Sequence, residues 1–176
     1  MPLLISDAAV VRDLERGGLI VALSSLPEEI VVPNVLTEHE IAPPTMLLMQ
    51  AAGIRTIALD PGELSEAIKL HRQCGSLSLT ECCALVVARI RQAMMLTSYG
   101  LLREEALRQG HSVCCALWCL DQIERSGSID VAELYACLQA IVSRPRCNYP
   151  QDQIAVRVAR LNRAKLNLKP LSQGAA

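Results

Sequence analysis

Short blocks of consecutive apolar residues alternate along the chain with longer segments in which apolar positions return every three or four residues. A continuous apolar block suits a strand buried on both faces, and the longer repeat suits a helix with one buried side. LLIS at Leu3–Ser6 is the first such block, and the helical pattern AAVVRDLERG follows it until Gly17 and Gly18 stop it. EIVVP at Glu29–Pro33 is a second strand, ended by proline. VLTEHEI and, past Pro43 and Pro44, TMLLMQAAG read as two helices. IRTIAL (residues 54–59) is a third strand, and ELSEAIKLHRQ (63–73) an amphipathic helix. SLTECCALVVARIRQ (78–92) is apolar on most sides and reads as a buried helix. AMMLT (93–97) is a fourth strand, YGLLREEALRQG a helix with a glycine stop, and SVCCAL a fifth strand or a strand-to-helix junction. Helical patterns in LWCLDQIERSG, VAELYACLQAIVSR and QDQIAVRVARLN complete the chain.

Strands separated by helices predict a three-layer α/β/α domain: a parallel sheet of four or five strands covered on both faces. The predicted domain spans residues 1–162, its C-terminal part (about 116–162) helical, with residues 163–176 as a flexible tail. In an open parallel sheet the functional crevice lies beyond the carboxyl ends of the strands. That is where candidate chemistry is to be sought.

Composition narrows the choice. At 176 residues the chain suits one domain, and 51% hydrophobic with 20% charged residues is a globular composition. The formal net charge of −1 supplies no global basic field for a polyanion. Aromatic residues make up 2%, with no Phe, which argues against base-stacking platforms. No apolar run approaches the roughly 18 residues of a membrane span, and MPLLISDAAVVRD lacks the basic start of a signal peptide. A cytoplasmic protein without a membrane partner is the expectation. None of the eight cysteines forms a C-x-x-C pair, and most lie in apolar runs such as ECCALVVA and VCCALWCL. They read as reduced, buried, small hydrophobes rather than as metal or redox groups.

Acids at the predicted strand ends carry the candidate chemistry. Asp7 closes the first strand, Glu38 and Glu40 follow the second, and Glu81 opens the buried helix. Each also has a structural explanation. Asp7 can cap the helix behind it, Ser78 and Glu81 form a capping box, and Glu38 and Glu40 can be solvated helix charges. Taken together, the three segments deliver carboxylates to one edge of the sheet, where they suit hard divalent cations. His39 lies between two glutamates, but neighbours in sequence do not share a helix face. Trp118 reads as a core anchor.

The ordered set ISD (5–7), VVPNVLTE (31–38), LSLTECCALVVA (77–88), LTSYGLLREEA (96–106) and GHSVCCALWCLDQIERSGSI (110–129) resembles PIN domains, the family that includes the ribonuclease toxins of bacterial toxin–antitoxin pairs. The likeness implies an endoribonuclease dependent on Mg²⁺ or Mn²⁺, with RNA as substrate, an antitoxin protein as partner and a homodimer. The family's first acid falls on Asp7. Its second falls on Glu38, or on Glu40 if the register after Pro33 differs. Its third falls on Glu81, a longer carboxylate than the family's usual aspartate. The fourth acid falls on Tyr99, with Ser98 beside it, so that one carboxylate is missing. Thr97 and Ser98 neighbour the site, and Arg103 takes the family's arginine position. A weakened nuclease follows from that likeness, with a catalytically inactive PIN-fold binding module as the alternative. The dimer contact is expected from Met46, Leu47 and Met49, because TMLLM is more apolar than a solvated helix requires.

Overall fold

The computed structural model describes residues 3–98, 100–144 and 147–167. Five strands occur among them: β1 (Leu3–Ser6), β2 (Glu29–Pro33), β3 (Arg55–Ile57), β4 (Met94–Leu96) and β5 (Val113–Cys114). Each lies in an apolar block expected to be a strand. They form one all-parallel sheet in the order β3-β2-β1-β4-β5, flanked by helices in a three-layer α/β arrangement. Ile5 pairs with Val31 on one side and Met95 on the other, so the first strand in the chain is the central one. Its residues Leu4 and Ile5 are wholly buried, which a strand flanked on both edges and covered on both faces demands.

The helices are α1 (Ala8–Arg16), α2 (Asn34–His39), α3 (Pro43–Ala51), α4 (Pro61–Gln73), α5 (Leu79–Ile90), α6 (Leu101–Arg108), α7 (Ala116–Ser126), α8 (Val131–Val142) and α9 (Gln151–Asn167). A short 3₁₀ helix at Val21–Ser25, absent from the sequence expectation, links α1 to β2. Cys82 to Ala88 of α5 are buried without a polar stripe because α5 crosses β1, β2 and β4 and also packs against α4. On α1, Gly17 permits close packing: a Cβ there would stand 2.9 Å from the Ile141 side chain of α8. Gly18, with φ of +68°, turns the chain out of α1.

Three expectations are corrected. Pro43 and Pro44 do not precede their helix but form its first turn, where proline costs no hydrogen bond. α9 runs to Asn167, past the expected domain end at 162. Its apolar positions Ile154, Val158 and Leu161 return at helical spacing against the core, and Arg157 Nε donates to Asp121 of α7 at 3.0 Å. The remainder of the expected tail, 168–176, lies outside the described residues. Met49 is buried in the core and is not available for a dimer contact, whereas Leu47 and Leu48 on the same helix are exposed. Among the described residues no helix is long and apolar enough to cross a membrane.

Candidate active cleft

The strand order reverses between β1 and β4: the chain builds outward from β1 to β2 and β3, then returns to the other side of β1 with β4 and β5. Such a reversal opens a crevice at the carboxyl ends of the two central strands. Asp7 follows β1 directly. Its backbone N–H donates to Leu96 O at 3.1 Å, carrying the β1–β4 pairing one residue past the strands. As N-cap of α1 it accepts the Val10 N–H on Oδ1 at 2.8 Å, while Thr97 donates its hydroxyl to Oδ2. The residue is 4% exposed. Burial pushes its pKa up to about 6, opposed by the Thr97 and Val10 hydrogen bonds, with a further push from the Glu81 charge and relief from Arg12.

A cleft of about 300 Å³ opens here. Asp7, Arg12, Leu36, Glu40, Ser78 and Glu81 are among its lining residues. Glu81 reaches it from the first turn of α5 and keeps its capping role: Ser78 N–H donates to Glu81 Oε2 at 2.7 Å, and Glu81 N–H to Ser78 Oγ at 3.2 Å. Glu40 reaches it from the end of α2. Thr80 donates its hydroxyl to Glu40 Oε1, and Arg12 Nη1 lies 3.5 Å from Oε2.

Glu38, the expected second acid, is absent from that lining. It is solvent-exposed and accepts the Asn34 side-chain amide at 3.0 Å. Residues two apart on a helix differ by roughly 200° in direction, so only one of Glu38 and Glu40 can face the cleft. α2 presents Glu40. His39 is exposed beside it, and Trp118 packs half-buried on the core.

Thr97 and Ser98, just past β4, send their side chains to different partners, as successive residues in extended backbone do. Thr97 serves Asp7. Ser98 donates to Asp13 Oδ2 at 3.0 Å, and Tyr149 donates its hydroxyl to the same oxygen at 2.6 Å. Asp13 is wholly buried, and Arg144 Nη1 lies 3.2 Å from its Oδ1. This second network was not anticipated. Its signal was available: Val10, Asp13, Leu14 and Gly17 stand at i, i+3, i+4 and i+7 of α1, placing an acid in the buried stripe. Tyr99, the expected position of the missing fourth acid, lies outside the described residues. Arg103 sits half-buried on α6 near Cys114 and is not among the described lining residues of the cleft.

Among the described residues, no three His, Cys, Asp or Glu side chains converge tightly enough to hold a metal ion. The donor chemistry is still that of a hard cation, since Mg²⁺ is held through one or two carboxylates and its own waters. Asp7, Glu40 and Glu81 therefore offer suitable oxygens without forming a closed cage, because each already accepts from a protein donor.

Every cysteine is free; Cys74 and Cys147 are half-buried and the other six are buried. Desolvation pushes the Cys82 and Cys114 thiols up to about 12 and raises the Cys119 thiol well above its ordinary value, so they are poor nucleophiles.

No protein-family model, no curated protein and no solved structure matches this chain.

Proposed function

We propose that this chain is a PIN-like, divalent-cation-dependent endoribonuclease of reduced power. The observation that supports it most is that Asp7, Glu40 and Glu81, brought from three segments, line one cleft at the point where the parallel sheet reverses. Mg²⁺ or Mn²⁺ bound there would supply an activated water and neutralise charge developing on a phosphodiester. Asp7 would be the principal ligand, with Glu40 or Glu81 as second. Thr97 orients the Asp7 carboxylate through its hydroxyl, and the buried position of Asp7 keeps bulk water from its inner oxygen. Tyr99 in place of a fourth acid removes one negative charge, which weakens cation binding and hence cleavage. A toxin role opposite an antitoxin protein, a homodimer and a cytoplasmic location belong to this reading.

A second reading has its own support: all three acids are already engaged by protein donors, as expected of a PIN-fold binding module without catalysis. Calorimetric titration of Mn²⁺ and cleavage of a fluorescent RNA library, each with wild type and Asp7→Asn, separate the two. The nuclease reading expects cation binding and slow cleavage, both abolished by D7N. Absence of both in the wild type favours the binding module.

A further inference from the structure

We infer that Arg12 is a tethered counter-cation of the acidic cleft, engaging Glu40 where a free divalent ion would otherwise do so and thereby setting how tightly such an ion binds. The inference rests on the cation-binding part of the proposed function. Arg12 projects from α1, the helix that Asp7 caps, into the cleft that Asp7, Glu40 and Glu81 share. Its Nη1 lies 3.5 Å from Glu40 Oε2 and 3.5 Å from the Glu40 backbone carbonyl oxygen. Thr80 draws the other Glu40 oxygen toward α5. Each Glu40 carboxylate oxygen is thus held by a protein group, one by Thr80 and the other beside Arg12.

The partners of the three acids are not equivalent. Val10 N–H, Ser78 N–H and the Thr80 and Thr97 hydroxyls are neutral donors, and they orient carboxylates without offsetting their charge. Arg12 is the cationic side chain among the described lining residues. Its charge also acts on Asp7, holding that carboxyl's pKa lower than burial alone would set it. The contact is loose: the Arg12 side chain is 51% exposed, and ion pairs at such positions are weak and salt-sensitive. A loosely held monovalent cation is one a hard divalent ion can displace, and each binding event must displace it.

The test is Mn²⁺ binding at low ionic strength, followed by calorimetry and by the electron paramagnetic resonance signal of free Mn²⁺. The proteins are wild type, Arg12→Gln, Arg12→Lys, Glu40→Gln and the R12Q/E40Q double variant. Melting temperatures of the metal-free proteins verify the fold, which an exposed arginine on one helix turn does little to set. R12Q should bind up to about fivefold tighter than wild type, the range an exposed ion pair supports. R12K, which keeps the charge, should stay near wild type, and R12Q should add little in the E40Q background. Equal or weaker binding by R12Q overturns the inference, and so does a tightening that persists undiminished without Glu40. If wild type and R12Q bind Mn²⁺ alike, only the role of Arg12 falls. If neither binds it, the cation-binding reading falls as well.

Discussion

Thr97 donates its hydroxyl to the Asp7 carboxylate across the two central strands, from 90 residues further along the chain. The pair joins the end of β4 to the cap of α1, which lines the cleft, and Ser98, the next residue, donates to buried Asp13. Two successive residues after β4 thus hold two acids, the N-cap of α1 facing the cleft and Asp13 inside the protein.

Asp7 should cost the fold stability at neutral pH. Its folded pKa of about 6 lies above the ordinary value of 3.8, so the folded state holds the proton more tightly than the unfolded chain. Stability from this group is full below about pH 4 and is lost as pH rises through 6, by on the order of 3 kcal/mol at pH 8. Asn retains the cap to Val10 N–H without the charge. Asp7→Asn should therefore melt several degrees above wild type at pH 8, with the gap mostly closed at pH 4, by scanning calorimetry. A D7N variant less stable at pH 8 would contradict this.

Thr97→Val removes the hydroxyl that favours the ionised Asp7 carboxylate. The Asp7 pKa should rise beyond about 6, observable as a ¹³C carboxyl titration, and unfolding at pH 8 should cost about 1–3 kcal/mol less than in wild type. An unmoved titration would mean that this hydrogen bond is not maintained in solution.

Asp13 is the buried hub. Asp13→Ala removes the buried carboxylate that faces Arg144 and accepts from Tyr149 and Ser98, and should destabilise by roughly 3–5 kcal/mol in urea unfolding. Tyr149→Phe removes one donor and should cost less, about 1–2 kcal/mol.

Glu38 and Glu40 should separate cleanly. Glu40→Gln should weaken Mn²⁺ binding, while Glu38→Gln, altering an exposed carboxylate outside the cleft lining, should leave it unchanged within about twofold. Isothermal calorimetry on the two variants checks this, and the reverse order would put α2 in a different rotation.

Thiol labelling should be slow and partial. Only Cys74 and Cys147 should react with a disulfide reagent in the native protein at pH 8, and the other six only after unfolding. Rapid labelling of Cys82 or Cys114 would contradict their burial.

The arrangement of layers was legible in the sequence for a simple reason. A parallel strand buried on both faces must be apolar throughout, so LLIS, EIVVP and AMMLT announce themselves, and the helical repeats between them force a crossover sheet. Asp7 was equally legible, since an acid between the end of a strand and the start of a helix has its place fixed by backbone alone. The choice between Glu38 and Glu40 was not, because it depends on the rotation of α2, which Leu36 and Thr37 set by burying themselves in the core. The extent of α9 depended on the same kind of contact, the seating of Leu161 against the core. Strand order, and with it the reversal between β1 and β4 that opens the cleft, is likewise a property of the folded sheet. Local pattern determined which residues form strands and helices. Packing decided which of their polar side chains meet, and so placed Arg12 beside Glu40 and sent Ser98 to Asp13, since residues far apart in sequence meet only when the layers close.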